Sequence, residues 1–170
     1  MIARKLLILG EIGVGKTSLV RRLVLDEMTA DYIPTMGVDI YRYAVAAAPP
    51  QRPQQIDLVI WDIDGNYGQS IFRHVYSKGA SGALIVGDLS RRPTLDLMVG
   101  LAHGFQDAMP GRHFTFVLNK TDLIPGPETA ELPDDLRTAR QSVLWTSARS
   151  GENVRQAFES TADAIVRREL

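Results

Sequence analysis

The residues best equipped for chemistry are GEIGVGKT, residues 10 to 17. They fit G-x-x-x-x-G-K-[ST], directly after the apolar run KLLIL and before a helical pattern, the context in which such a loop cradles phosphate. Gly13 and Gly15 let the backbone turn with its N–H groups facing inward, and the helix N-terminus behind them adds partial positive charge. Lys16 then reaches the β- and γ-phosphates, and the Thr17 hydroxyl is placed to ligate Mg²⁺. Glu11, Val14 and Ser18 complete the stretch expected to contact a nucleotide. The bland alternative, a glycine-rich turn with an exposed lysine, has the flanking strand and helix against it. Three further strings place polar residues at the ends of apolar runs: WDIDGN (61–66), NKTD (119–122) and TSA (146–148). Each is weak alone and gains force from its order and position.

Elements that could hold these residues are visible in the hydrophobic pattern. KLLIL (5–9), IDLVIW (56–61), GALIVG (82–87), FTFVL (114–118) and SVLW (142–145) are continuously apolar, as strands buried on both faces are. Between them, Leu19, Val20 and Leu23 share a helical face. Leu95, Met98, Leu101, Ala102 and Phe105 share a second, and Val154, Ala157, Phe158, Thr161, Ala162 and Ile165 a third. Strands alternating with helices predict a largely parallel sheet in an α/β layer. VDIYRYAV (38–45) partly alternates, as an edge strand does, and predicts an antiparallel hairpin with its successor. Three prolines in the connection AAAPPQRPQQ argue against pairing within it. The proline-rich segment 123–141 predicts one short helix beginning near Pro133. Residues 1–170 form one expected domain, without internal repeats or a linker.

Composition narrows the function classes. The chain has 170 residues, 45% hydrophobic and 23% charged, with net charge -1, ordinary values that give nucleic-acid binding no support. With no cysteine, disulfides, thiolate metal sites, a cysteine nucleophile and cysteine lipidation are excluded for this chain. No apolar stretch approaches the ~18 residues of a membrane span. Gly10 and Glu11 end the first apolar run too early for a signal sequence, so the expected location is cytoplasmic.

In this order, GEIGVGKT, WDIDGN, NKTD and TSA resemble the signature of a Ras-superfamily small GTPase of the Rab-like branch, over nearly the whole chain. The resemblance implies a P-loop G domain: a six-stranded, mostly parallel sheet with one antiparallel edge strand and helices on both faces. It implies that Asn119 and Asp122 read guanine, that the Lys120 stem lies against the ring, and that Ser147 and the Ala148 N–H complete the base pocket. A carboxylate at 122 discriminates against adenine, which lacks the exocyclic amine there. YIPTMGVD (32–39) is similar to the first switch, so Thr35 would ligate Mg²⁺ and Tyr32 would close over the γ-phosphate. As a local string it reads equally well as a proline-bearing loop. Asp62 would approach Mg²⁺ through water, and Gly65 would offer its N–H to the γ-phosphate. GTP and GDP are the implied bound nucleotides, with Mg²⁺ as cofactor.

The chain departs from the family pattern at four places. Asn66 stands where the family carries a water-orienting glutamine. Its stem is one methylene shorter, and a misplacement of about an ångström can cost ~10²-fold. Slow hydrolysis is expected, unless the loop shifts to let Asn66, or Gln69 nearby, do the same work. Asp64 replaces a small residue; it either repels the γ-phosphate or accepts a proton, or it simply caps the following helix. Ile12 is bulky where relatives are small and either crowds an incoming arginine finger or packs outward. Met28 replaces an aromatic beside the base, and its flexibility predicts faster nucleotide release.

These features imply a GTPase switch with a low intrinsic rate; the alternative is a GTP-bound docking module with negligible hydrolysis. The implied partners are an effector reading residues 32–41 and 65–76, an exchange factor and an activating protein. The sequence ends within a helical pattern and lacks the N-terminal acylation pattern, so no direct lipid anchor is expected. That would suit a prokaryotic relative or a domain of a larger protein. Arg91 and Arg92, before Pro93, read as a solvated helix start. Arg73 is a weaker phosphate candidate, and His74, His103 and His113 show no ligand spacing.

Overall fold

The computed structural model describes residues 1–26, 37–47, 54–63, 65, 75–139 and 142–168. Its first strand, β1 (Ile2–Leu9), explains the two-sided architecture. Leu6 and Ile8 enter one buried cluster while Leu7 and Leu9 enter another, because successive strand residues point to opposite faces. The first cluster takes Leu19, Val20 and Leu23 from α1 (Lys16–Leu25) and Val154, Phe158 and Ile165 from the C-terminal helix, α4 (Val154–Arg168). Leu95, Met98, Ala102 and Phe105 of α2 (Arg92–Ala108) cover the other face, with Leu136 of the one-turn α3 (Asp134–Arg137). Fully burying a side chain such as Phe158 stabilises the fold by roughly 1.5–3 kcal/mol.

The remaining strands are β2 (Val38–Ala47), β3 (Gln54–Ile63), β4 (Gly82–Asp88), β5 (His113–Asn119) and β6 (Val143–Trp145). They form one sheet in the order β2-β3-β1-β4-β5-β6, with β2–β3 antiparallel and every other pair parallel. The expected six-stranded architecture, antiparallel edge included, is the one observed. All seven residues of β4 and of β5 are buried, which accounts for the apolar runs along them, while the polar exceptions His113, Thr115, Asn119 and Asp88 are hydrogen-bonded.

Two expectations need correction. Pairing of β2 with β3 extends into the proline-rich connection, through Ala46↔Gln55 and Ala47↔Gln54. Ala46, Ala47, Gln54 and Gln55 are not proline, so each keeps an N–H for the ladder; the prolines at 49, 50 and 53 lie outside the described residues. The segment 123–141 contains the expected helix at Pro133, but also a 3₁₀ turn at Pro127–Thr129, preceded by another at Thr121–Leu123.

A buried polar chain ties β5 to α4. His113 Nε2 lies 3.1 Å from Thr115 Oγ1, which is 2.8 Å from Thr161 Oγ1, and Thr161 donates to the Ala157 carbonyl at 2.7 Å. Burial, reinforced by the charge of Arg168, lowers the His113 pKa from its ordinary value to about 4.

Parallel pairing brings the C-terminal ends of β1, β3, β4, β5 and β6 to one edge, and the loop after β1 lies where the strand order reverses. Open α/β sheets bind ligands at that crevice. Ile8 is in register with Asp62 and with Leu84, and Asp88 with Asn119.

Candidate nucleotide site

The loop between β1 and α1 turns on two left-handed glycines, Gly13 at φ 77° and Gly15 at φ 98°. Gly15 starts α1 in the left-handed region, at φ 98° and ψ 26°, and no acidic residue occupies the first turn of the helix. The positive end of the helix dipole is therefore left for a ligand. A Cβ on Gly15 would lie 2.4 Å from Asn119 Nδ2, so glycine is also required for the close approach of that side chain. Lys16 is only 7% exposed, and its Nζ donates to the carbonyls of Gly10 at 2.9 Å and Glu11 at 3.0 Å. Glu11 accepts the Ile12 N–H on its own carboxylate at 3.0 Å, which makes it a support of the loop. Val14 is wholly buried, and Ser18 and Thr17 are half-buried.

The Thr17 hydroxyl donates to Asp62, which is fully buried at the end of β3. The structure thus joins two expected metal ligands from positions 45 residues apart. A hydroxyl beside a carboxylate at an anion cradle is a hard-oxygen donor set. It fits Mg²⁺, which takes few protein ligands and completes its shell with water and phosphate. Among the described residues no group of three or more His, Cys, Asp and Glu forms an all-protein alternative. Gly65 lies against the same loop: its Cβ would meet Ile12 N at 2.7 Å, the Glu11 carbonyl carbon at 2.9 Å and Gly10 O at 2.9 Å.

The other motifs converge from β5 and β6. Asn119, buried, donates through Nδ2 to Val14 O at 2.9 Å. Its Oδ1 accepts from the Thr146 hydroxyl at 3.0 Å and from the Ala148 N–H at 3.3 Å. One amide therefore clamps the phosphate loop to the loop after β6, and it retains a second N–H for a ligand. Lys120 adopts the left-handed region at φ 66°, a strained conformation for a lysine. This sends its Nζ to Gly13 O at 2.7 Å and to within 2.9 Å of the buried Asp88 carboxylate. Asp122, exposed, accepts from Ser147 Oγ at 2.7 Å, and Ser147 Oγ accepts the Ser150 N–H at 3.0 Å. The carboxylate expected to read a base is held by the loop expected to flank that base.

Met28, Tyr32, Thr35, Asp64, Asn66, Gln69, Arg73 and His74 lie outside the described residues. Two site residues were missed from sequence. Asp88 anchors Lys120, and Arg91 is no mere solvated helix start: its Nη1 donates to Ile12 O at 3.1 Å. Only the position of Asp88 at the end of an apolar run hinted at the first. Nothing local marks the second.

A sequence model of the Ras family matches residues 5–167, which include every motif in this site. The chain is a Rab-like small GTPase of the Ras family. The GTPase is 33% identical over 169 residues to Ras-related protein Rab-4B of Homo sapiens, covering 95% of this chain and 76% of that protein. Over 167 residues it is 33% identical to human Ras-related protein Rab-36, covering 93% and 60% respectively. It is similarly 34% identical over 163 residues to Ras-related protein RABA6a of Arabidopsis thaliana, covering 91% and 66%. As a member of this family it is a GTP-binding protein, and among its described residues no helix is long and apolar enough to cross a membrane.

Proposed function

We propose that this GTPase is a switch that binds GTP and GDP with Mg²⁺, turns GTP over slowly and signals to an effector through its two switch segments. The observation that carries this reading is the Thr17–Asp62 contact at the mouth of the phosphate loop, beside the buried ammonium of Lys16. Thr17 and Asp62, with Thr35, would hold Mg²⁺, which when bound neutralises charge on the phosphate oxygens. Lys16, tethered by the Gly10 and Glu11 carbonyls, supplies a second fixed positive charge where negative charge must be stabilised. Its preset position limits the reorganisation needed during reaction.

Base selection falls to Asp122, with Asn119, Lys120, Ser147 and Ala148 shaping the pocket. The Ser147 hydroxyl fixes the orientation of the Asp122 carboxylate, which supports preference for a base with an N1–H and an exocyclic amine. Gly65, in contact with loop backbone, provides the hinge point from which the second switch would sense a γ-phosphate. Asn66 would orient the attacking water from a stem one methylene short of glutamine, and this is the basis for the low rate.

For the effector, the register sets exposed Ile40 across from Trp61, and Tyr76 packs edge-on to Trp61 at 6.3 Å. This apolar patch between the switch segments supports protein docking.

Single-turnover hydrolysis of bound GTP by the native protein and by Asn66→Gln tests the proposal. A slow native rate raised up to ~10²-fold by glutamine is expected. A native rate equal to or above that of the variant would overturn the account of Asn66. Turnover undetectable in both would favour the docking module.

A further inference from the structure

Three consecutive carbonyls of the phosphate loop point outward, and each meets a side chain from elsewhere in the chain. Val14 O accepts from Asn119 at 2.9 Å, Gly13 O from Lys120 at 2.7 Å and Ile12 O from Arg91 at 3.1 Å. The first two donors belong to the base-reading motif. The third comes from the turn between β4 and α2, 79 residues beyond the carbonyl it contacts.

A peptide unit is planar and trans, so its C=O and N–H point in opposite directions. Holding the Ile12 carbonyl outward therefore aims the Gly13 N–H toward the concave side of the loop, where phosphate would lie. Glycine at position 13, with φ 77°, makes this peptide easy to invert, because glycine crosses between backbone regions at little steric cost. An inverted peptide would present its carbonyl oxygen to a phosphate and remove a donor. The guanidinium opposes that inversion, and its charge also polarises the peptide so that the N–H donates more strongly. On the other side of Ile12, the Glu11 carboxylate fixes the Ile12 N–H at 3.0 Å. An acid and a base thus hold the backbone of this one residue.

Arg91 is itself well anchored. Its N–H donates to the Asp88 carbonyl at 2.9 Å, and the Asp88 carboxylate accepts from Ser90 N at 2.9 Å and Ser90 Oγ at 2.6 Å. The same Asp88 pairs with Lys120 at 2.9 Å, so the turn supports two of the three outward carbonyls. A Cβ on Gly13 would lie 3.2 Å from Arg91 Nη1, which places the guanidinium beside the Ile12–Gly13 peptide.

We infer that Arg91 is a positioning residue for the nucleotide phosphates, acting through the Ile12–Gly13 peptide. The inference rests on the nucleotide reading above and refines it. Arg91→Ala and Arg91→Lys are compared with the native protein by release of fluorescently labelled GDP and by the amide ¹⁵N resonance of Gly13 in the GDP-loaded state. For Arg91→Ala we expect release about three- to tenfold faster, the range for loss of one net hydrogen bond, because at this exposed site solvent offsets the gain from the charge. We also expect a displaced Gly13 resonance, which a purely structural role for the turn would leave in place. Lysine, which keeps a charged donor, should restore release to within about twofold and return the resonance toward its native position. Alanine-variant release within about twofold of native, with the Gly13 resonance unmoved, would overturn the inference and leave the nucleotide reading intact. A native protein that binds no guanine nucleotide would overturn both. If the alanine variant does not fold, Arg91→Gln, which removes the charge and keeps a polar stem, decides: release about three- to tenfold faster with a displaced resonance supports the inference, and native-like release with the resonance unmoved refutes it.

Discussion

Replacing Gly15 by alanine tests whether the loop after β1 and the loop after β5 are one mechanical unit. The new methyl would lie 2.4 Å from Asn119 Nδ2 and 3.7 Å from its Cγ. The amide must retreat, losing its 2.9 Å bond to Val14 O and loosening those from Thr146 and Ala148. Leaving such buried groups unsatisfied costs about 1–3 kcal/mol. A non-glycine residue at φ 98° adds roughly 1–2 kcal/mol of backbone strain, for a total of about 2–5 kcal/mol. The two contributions separate in a double-mutant cycle. In an Asn119→Ala background the amide is gone, the methyl fits the vacated space, and only the backbone cost of about 1–2 kcal/mol should remain. Urea unfolding of the nucleotide-free protein, which excludes ligand linkage, should report a coupling of about 1–3 kcal/mol. Costs additive within about 0.5 kcal/mol would refute the argument, because they would mean that Asn119 does not occupy the space Gly15 leaves open.

Met28→Phe should slow GDP release, since a rigid aromatic edge packs on a base better than a flexible thioether does. Equal release from the native protein and the variant would remove Met28 from the base pocket. His113, with its pKa lowered to about 4 by burial and by Arg168, is neutral in the folded protein and protonated more readily when unfolded. The unfolded state then binds more protons between about pH 4 and 6.5, so stability should rise with pH through that window and fall on acidification. Chemical denaturation from pH 4.5 to 7 (about the range that matters) should show this slope reduced in His113→Gln. An NMR titration placing the His113 pKa above its ordinary 6.5 would contradict the burial argument.

The phosphate loop was legible because its chemistry is local: glycines, lysine and threonine act within one turn of backbone, and a strand and helix flank them in sequence. Burial on both faces made the central strands equally plain as apolar runs. The ends of the β2–β3 hairpin were harder. Proline marks the connection as unable to pair, but it is silent about Ala46, Ala47, Gln54 and Gln55, which pair because the ladder running from Val38↔Ile63 to Val45↔Ile56 sets their register. Asn119 and Lys120 were recognisable by motif, yet their contacts to Val14 and Gly13 were not, since each spans more than 100 residues.

The sequence by itself determined the order of strands and helices, the glycine-rich turn between β1 and α1 and membership of the Ras family, since short-range spacing of residue types is sufficient for each. Tertiary structure alone decided that Thr17 meets Asp62, that Asp88 anchors Lys120, and that Arg91 reaches Ile12. The physical reason is register: β1 pairs with β3 on one side and β4 on the other, and this fixes which distant strand ends stand beside the loop. Side chains at those ends are ordinary polar residues in the sequence and acquire their roles only from the backbone that the sheet brings within reach.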